Sequence, residues 1–199
     1  DGLHARGLAL WLCIPMGLEF KVFELEELSP SVDRFIAMLH DENGEEDAPG
    51  PLASQPWFEG WLDTVTAYGQ PFQWVVALGA YGYDWTQGEE RAETVGFADA
   101  MSRAGRSGLS LCDFQPEIAN PHYAYEASGR AHDVWFLDAA TFLNQLRAAQ
   151  RKEIGGYGIS RLGTEDPGLW QALRLAQKAV LDPADLSVLE VIPTDKIAT

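Results

Sequence analysis

The chain has 199 residues, enough for one domain with a sizeable core, and 46% of its residues are hydrophobic, as in ordinary globular proteins. Its 14 Lys and Arg residues against 30 Asp and Glu residues give a formal net charge of −16, which disfavours binding to nucleic acid and to anionic lipid surfaces. A neutral or cationic ligand is easier to accommodate, and a partly deacetylated amino-sugar polymer would be one.

Four short apolar runs predict strands buried on both faces, as in a parallel sheet. They follow a helical turn that ends at Gly7, and the last is preceded by a glycine pair. The first run contains Cys13, which we predict to be a buried free thiol. Cys13 and Cys112 therefore say little about the redox compartment. The four predicted strands are 8–15, 34–39, 74–81 and, more weakly, 157–162.

Amphipathic segments between these runs predict helices. The first has Trp57, Trp61 and Val65 on one face; the second has Val95, Ala98 and Met101. The third begins after Asp138, a suitable N-cap, and keeps Phe142, Leu146 and Ala149 together. The alternation of strand and helix indicates βαβ units and an α/β fold. The predicted helices are 56–68, 91–107, 138–152 and a last one that starts at 166.

The segments 122–126 and 131–135 interrupt this alternation and predict a β-hairpin inserted between the third and fourth strands. Four parallel strands cannot close a barrel by themselves, so the pattern fits either part of a barrel or an open α/β sheet. Neither a Gly-x-Gly-x-x-Gly motif nor a Walker motif occurs, so nucleotide binding has no support. Residues 184–199 are predicted to be a linker or the start of a following module.

Polar and aromatic side chains follow the second, third and fourth predicted strands, at their carboxyl ends. In α/β barrels the working residues occupy these ends and the loops after them. Carboxylates orient sugar hydroxyl and amide groups, and aromatic rings stack on pyranose rings, so together they predict a carbohydrate-binding groove. The candidate groove residues are His40, Asp41, Glu42, Tyr81, Asp84, Trp85, Arg161 and Glu165.

Each of these groups also has a purely structural interpretation. Asp41 and Glu42 could belong to a solvated loop, and 81–85 could be packing at the rim of the sheet. Glu165, followed by Asp-Pro, could cap a helix, because acids and proline suit a first turn. Arg161 could pair with Glu165 or Asp41. The groups after the second, third and fourth predicted strands all occupy the same place in the alternation of strand and helix. This equivalence favours the functional interpretation. The scattered histidines and cysteines predict no metal site, and no cofactor is expected.

The residues at these strand ends resemble motifs of glycoside hydrolase family 18, the chitinases and their relatives. Met38-x-His40-Asp41-Glu42 is similar to the family's Met-x-Tyr-Asp motif on strand six, and Leu78-Gly79-x-Tyr81 resembles strand seven. Gly155-Gly156-x-Gly158-Ile159 resembles the start of strand eight. A narrower resemblance is to the family-18-like domain of bacterial proteins that also contain a polysaccharide deacetylase and a family 2 glycosyltransferase. The stretches that carry it are 48–57, 83–85, 120–121, 133–139 and 161–167.

The resemblance implies a (β/α)8 barrel, of which residues 1–183 would supply strands five to eight. It also implies an extracytoplasmic location, periplasmic or at the cell surface, and a ligand that contains N-acetylglucosamine. In the family the substrate's own N-acetyl oxygen attacks the anomeric carbon while a Glu protonates the leaving oxygen. That Glu ends an Asp-x-x-Asp-x-Asp-x-Glu motif on strand four, which would precede residue 1 and does not occur in this sequence. The chain alone is therefore expected to be inactive.

The resemblance assigns supporting roles to the residues that are present. Asp41 would lie near the acetamide group of the sugar, and His40 replaces a Tyr that donates a hydrogen bond there. Ser160 replaces a Trp that forms the floor of the sugar site. Two hypotheses follow: a glycosidase fragment that handles an N-acetylglucosamine-containing polysaccharide, or a non-catalytic glycan-binding or scaffolding domain beside deacetylase and glycosyltransferase modules. A third is a truncated reading frame without autonomous function.

Overall fold

The computed structural model of the protein describes residues 2–109 and 112–181, and the predicted linker at 184–199 lies outside these residues. Over the described residues the chain forms a parallel sheet with helices on one face and an antiparallel sheet. The strands and α-helices follow in the order β1 (Trp11–Pro15), α1 (Leu25–Leu28), β2 (Arg34–Leu39), α2 (Gln55–Thr66), β3 (Trp74–Gly79), β4 (Gly82–Thr86), β5 (Glu93–Val95), α3 (Phe97–Arg106), β6 (Asp113–Phe114), β7 (Pro121–Ala127), β8 (Arg130–Phe136), α4 (Ala139–Arg151), β9 (Gly156–Ser160) and α5 (Leu169–Leu175).

The parallel sheet has the strand order β1-β2-β3-β9, so all four predicted strands pair with one another. Phe35, Trp74 and Leu78 on one face of this sheet are fully buried against side chains of α2, α4 and α5. The helix α4 begins as predicted, because the Asp138 side chain accepts a hydrogen bond from the backbone N–H of Thr141 at 2.8 Å. The predicted α/β class is confirmed, because the helices pack on one face of a parallel sheet.

The opposite face of the parallel sheet is more open at β1. Successive side chains of a strand point to opposite faces, so the buried Ile14 places Cys13 on the side away from the helices. Cys13 is exposed, and Trp11 on the same face is 55% exposed. The prediction of a buried thiol was therefore wrong. An apolar run indicated burial on both faces, whereas β1 is an edge strand with only one face covered.

The predicted hairpin is confirmed as β7 and β8, joined by a two-residue turn at Ser128 and Gly129. Both turn residues have positive φ, +53° and +74°, as a type I′ turn requires. The hairpin is part of a larger antiparallel sheet with the order β5-β4-β8-β7-β6. Because β4 begins three residues after β3 ends, this sheet starts directly at the carboxyl edge of the parallel sheet.

The predicted helix 56–68 is confirmed as α2, and one other helix prediction needs correction. The predicted helix 91–107 is instead the short strand β5, which pairs with β4, followed by α3. In α2 the fully buried side chains are Phe58, Leu62 and Val65, while Trp57 and Trp61 are only half-buried. The two tryptophans therefore lie at the border of the core rather than in it. No helix within residues 2–109 and 112–181 is long and apolar enough to cross a membrane.

Candidate functional site

A carboxylate with three hydrogen-bonding partners lies at the carboxyl ends of β2 and β3. The Asp41 Oδ1 atom accepts a hydrogen bond from the Tyr81 hydroxyl at 2.5 Å and from the Tyr83 hydroxyl at 2.9 Å. Its Oδ2 atom lies 3.1 Å from the Nδ1 atom of His40. We call these residues, together with Arg161, the Asp41 cluster. The Asp41 side chain is 37% exposed, so the carboxylate is held by the protein and still faces solvent.

The contacts in the Asp41 cluster keep its carboxylate ionised. Burial by itself raises the pKa of Asp41, but the hydrogen bonds from His40, Tyr81 and Tyr83 outweigh burial and leave the pKa below its usual value. Burial and the neighbouring carboxylate both raise the pKa of Tyr81 and Tyr83, so each phenol stays a neutral donor. The cluster therefore presents a negative charge with fixed geometry near neutral pH.

Arg161 approaches the cluster from the end of β9. Its guanidinium carbon lies 4.7 Å from the centroid of the Tyr81 ring, a cation–π contact. This contact takes the place of the ion pair with Glu165 or Asp41 that the sequence left open. Thr164 ties the same loop to the end of β3 by donating its hydroxyl to the Ala80 carbonyl at 2.8 Å. The loop after β9 thus brings a cation to the edge of the cluster.

The backbone at Asp41 has φ +65°, in the left-handed region that side chains other than Gly seldom adopt. The next residue secures this turn. The Glu42 N–H donates to the Leu52 carbonyl at 2.7 Å, and the Glu42 carboxylate accepts from both the backbone N–H and the hydroxyl of Ser54. Glu42 therefore fastens the loop that leads into α2 and does not join the Asp41 cluster.

The cluster contains one residue that was not among the predicted groove residues, Tyr83. Tyr81, Tyr83 and Trp85 form an aromatic row, with neighbouring ring centroids 5.5 and 5.4 Å apart in edge-to-face geometry. Their spacing of two residues is a strand signal that places all three on one side, and it could have identified Tyr83. All three rings are buried, and the Trp85 indole donates to the Asp47 carbonyl at 2.9 Å. Two rings of the row thus belong to the Asp41 cluster, and the third, Trp85, packs in the same buried group of residues.

The structure separates Asp84 from the other predicted groove residues. It points to the opposite face of β4, where its side chain is fully buried. Its carboxylate accepts from Arg103 at 2.5 Å, from the Tyr125 hydroxyl at 2.7 Å and faces the Nδ1 atom of His132 at 2.8 Å. Burial and the bond to Asp84 raise the pKa of Tyr125 to about 12. Asp84 is an internal anchor that joins β4 to α3, β7 and β8.

Glu165 also lies outside the cluster. Its carboxylate accepts the N–H of Gly163 within its own loop at 2.5 Å. The adjacent Asp166 accepts from the N–H groups of Ala139 and Gly168, which fastens the start of α4 to the segment before α5. This geometry favours the structural interpretation for the acids after β9. Within the described parts of the chain, no group of three or more His, Cys, Asp or Glu side chains is arranged to hold a metal ion.

The chain is similar in sequence and in fold to several known proteins. No protein-family model matches the chain. The uncharacterized glycosylase YvbX of Bacillus subtilis strain 168 is 22% identical over 157 residues, which cover 78% of this chain and 46% of YvbX. A chitinase from Chromobacterium violaceum superposes with a TM-score of 0.79 at 26% identity, covering 88% of this chain and 58% of the chitinase.

The spore cortex-lytic enzyme SleL from Bacillus megaterium superposes with a TM-score of 0.77 at 18% identity, covering 88% of this chain and 42% of SleL. The chain thus spans about half the length of the proteins that it resembles. It has the chitinase-like glycoside hydrolase family 18 fold over about 88% of its length. The parallel sheet with its antiparallel addition corresponds to part of such a barrel, and the chain is related to glycosylases.

Proposed function

We propose that this chain is the glycan-handling half of a family-18-like glycosidase and that it binds a polysaccharide containing N-acetylglucosamine at the Asp41 cluster. The observation that carries the proposal is the Asp41 carboxylate, which is oriented by two tyrosines and a histidine and yet is 37% exposed. The similarity in fold to the Chromobacterium violaceum chitinase supports the same ligand class.

The chemistry of the cluster suits an acetamide group. An ionised carboxylate accepts the acetamide N–H in a charge-assisted hydrogen bond, which is stronger than a neutral one. If the acetamide oxygen attacks the anomeric carbon, positive charge develops on the acetamide nitrogen, and the fixed carboxylate would stabilise that charge. Asp41, with its lowered pKa, fits this role, and the buried tyrosines keep it from turning away.

Binding and orientation are the roles that we assign to this chain, because the sequence contains no Asp-x-x-Asp-x-Asp-x-Glu motif to donate a proton to the leaving oxygen. Hydrolysis in the parent protein would need that group from another segment. We place the polysaccharide outside the cytoplasm, in the periplasm or at the cell surface. The deacetylase and glycosyltransferase modules of the same polypeptide stay a prediction.

A second candidate function is a non-catalytic glycan-binding or scaffolding domain. Its support is the pair of residues that differ from the family's motifs, His40 and Ser160. The His40 side chain is buried, and within the described residues its Nε2 atom has no hydrogen-bond partner. Ser160 ends β9 with a small hydroxyl where a flat ring would form the floor of a sugar site. A changed donor to the acetamide group and a missing ring beneath the sugar both argue against strong turnover by the parent domain.

Isothermal titration of the full chain with chitooligosaccharides tests the proposal. We expect Asp41→Ala to weaken binding, because it removes the acceptor for the acetamide N–H. Asp99→Ala is the matched control, since Asp99 is an exposed acid in the first turn of α3. Unchanged affinity in Asp41→Ala would contradict the proposal. Mixing the chain with a segment that supplies the missing acid and assaying hydrolysis would separate the glycosidase fragment from the scaffold.

A further inference from the structure

A second groove lies away from the Asp41 cluster, between the segment after β1 and helix α2. Its volume is about 500 Å³, large enough for a small ligand. Four aromatic side chains line it, and we call it the aromatic groove; they are Phe20, Trp57, Trp61 and Tyr68. Lys21, Gly60 and Thr64 complete much of its border. Two of the rings, Trp57 and Trp61, belong to the apolar stripe that the sequence predicted for this helix, and the structure leaves them half-buried.

The rings of the aromatic groove meet edge to face. Phe20 and Trp61 have centroids 5.1 Å apart at 61°, and Trp57 and Trp61 have centroids 6.4 Å apart at 71°. Tyr68 contacts Phe20 at 5.8 Å and 66°. In this arrangement the rings do not cover one another in parallel stacks. Half-buried Trp and Tyr side chains offer an apolar ring together with a polar atom, as ligands with both apolar faces and hydroxyl groups require.

The charge of the aromatic groove differs from that of the chain as a whole. The chain carries a formal net charge of −16, yet none of the described residues that line the groove is acidic. Lys21 is the cation at its border, and the Thr64 hydroxyl adds a polar group. Apolar walls with a few polar groups at the edge are typical of small-molecule sites. An uncharged ligand that hydrogen-bonds through hydroxyl and amide groups fits this lining.

Trp57 connects the aromatic groove with the candidate site. It packs against the helix-side core and also against the buried cluster that contains Tyr81, Tyr83 and Trp85. Its position in the first turn of α2 follows the loop that Glu42 holds at the carboxyl end of β2. The groove then continues along α2 from Trp57 to the end of the helix at Thr66, about 14 Å at the helical rise of 1.5 Å per residue, and Tyr68 follows directly after it. One end of the groove is thus adjacent to the supports of the Asp41 cluster.

We propose that the aromatic groove is a second binding site for the polysaccharide, which takes uncharged N-acetylated sugar units outside the Asp41 cluster. The proposal rests on the proposed function for the class of ligand and on the groove's own rings and charge for its location. Two sites on one chain would raise the affinity for a long polymer, because the second contact becomes intramolecular. A short oligosaccharide would bind each site separately.

The variant Gly60→Gln tests the aromatic groove with little risk to the fold. A side chain at position 60 meets no atom within 4 Å of its Cβ, and Gly60 is exposed on a helix, where glycine is a poor helix former. Glutamine there would extend across the groove, whereas the matched control Gly60→Ala would leave it open. Trp61→Ala is the second variant, and Trp170→Ala controls for the loss of an exposed tryptophan elsewhere.

We would titrate the full chain carrying Asp41→Ala with N-acetylated chitooligosaccharides and follow the indole N–H signals of Trp57 and Trp61 by NMR. Trp61→Ala should weaken this binding about tenfold, as the loss of one ring contact with the sugar predicts. Gly60→Gln should weaken it by obstructing the groove. Gly60→Ala and Trp170→Ala should leave it unchanged. Equal affinities in all four variants would overturn the proposal.

The failure of this inference and the failure of the proposed function give different results. If sugar binding depends on Asp41 but not on Trp61, the Asp41 cluster is supported as a binding site and the aromatic groove is not. If sugar binding depends on Trp61 alone, the aromatic groove is supported as a binding site and the Asp41 cluster is not. Leu18 and Val22, beside Phe20, are 91% and 78% exposed, so an apolar protein segment is the competing ligand. If Leu18→Ser with Val22→Ser abolished the binding of a protein partner while sugars caused no shift, the groove would be a protein contact instead.

Discussion

Asp41 and Asp84 are both carboxylates that the sequence placed in one groove, and the structure gives them opposite surroundings. Asp84 has a side chain with 0% exposure, and its donors come from α3, β7 and β8. Asp41 has donors from β4 and from residues beside the strand ends, but 37% of its side chain is open to solvent. The comparison teaches that the number of hydrogen bonds does not identify a binding carboxylate. The remaining access to solvent leaves Asp41, unlike Asp84, open to the ligand that we propose.

The largest expected effect is on stability, from Asp84→Ala. The change leaves Arg103, Tyr125 and His132 without their common acceptor. Arg103 is only 18% exposed and then keeps its ion pair with the exposed Glu93. Removing one partner of a buried ion pair costs about 3 kcal/mol or more. Denaturant unfolding of Asp84→Ala and of the exposed control Asp99→Ala measures this difference. A loss below about 1 kcal/mol in Asp84→Ala would show that the Asp84 network is not the anchor of the antiparallel sheet.

A third carboxylate, Asp138, extends the comparison to the dependence of the unfolding free energy on pH. Burial raises the pKa of Asp138 to about 6, although it accepts a hydrogen bond from the Thr141 N–H. Between about pH 4 and pH 6 the folded state therefore binds more protons than the unfolded state, and the free energy of unfolding falls as the pH rises through this range. Asn is as good an N-cap as Asp. We thus expect Asp138→Asn to flatten this decrease and to stabilise the fold at neutral pH by up to about 3 kcal/mol, since one pKa unit corresponds to about 1.4 kcal/mol.

Unfolding free energies at pH 4, 5, 6 and 7 test that expectation, with Asp99→Asn as the control. For Asp41 the sign is opposite, because its folded-state pKa is lowered. Its contribution to stability is present above its unfolded-state pKa and is lost as the pH falls through the folded-state value. If Asp138→Asn kept the wild-type slope between pH 4 and pH 6, another group would be responsible for it.

The smallest expected effect on stability comes from Tyr83→Phe. It removes one of the two phenol donors to Asp41 and leaves the edge-to-face contacts of the ring in place. One hydrogen bond contributes about 1 kcal/mol. The pKa of Asp41 should rise towards its usual value, which NMR titration of the carboxyl carbon would detect. The same variant at Tyr125, a donor to Asp84, should leave the pKa of Asp41 unchanged, and equal shifts in both variants would contradict the assignment.

The elements that the sequence predicted well are those with a strong local signal. The second predicted strand, 34–39, has the observed bounds of β2, and the Asp138 cap marks the start of α4. The helix prediction for 91–107 was wrong at residues 93–95. Val95, Ala98 and Met101 have helical spacing, but pairing with β4 makes 93–95 a strand. That pairing is a contact between segments, and no local pattern encodes it.

The candidate site was also predictable where the signal was local and not where it depended on contacts between segments. The rule that working residues follow strand ends, with the resemblance, identified His40, Asp41, Tyr81 and Arg161, which the structure brings together. Whether Asp84 points towards Asp41 or away from it depends on the register of β4 against β8, in which Asp84 lies opposite Val134. The alternation along residues 81–85 already separates Asp84 from Tyr81, Tyr83 and Trp85. Which of the two faces lies towards Asp41 depends on packing and register, which residues 81–85 alone do not encode.

The most direct test of the account is the affinity of the full chain for N-acetylated chitooligosaccharides in the wild type and in Asp41→Asn. Asparagine keeps the shape of the side chain and removes the charge that accepts the acetamide N–H. We predict binding about tenfold weaker in Asp41→Asn, the difference of about 1.4 kcal/mol expected for one charge-assisted hydrogen bond, with the affinity of Asp99→Asn unchanged. Equal affinities in Asp41→Asn and the wild type would contradict the assignment of the Asp41 cluster as the glycan-binding site.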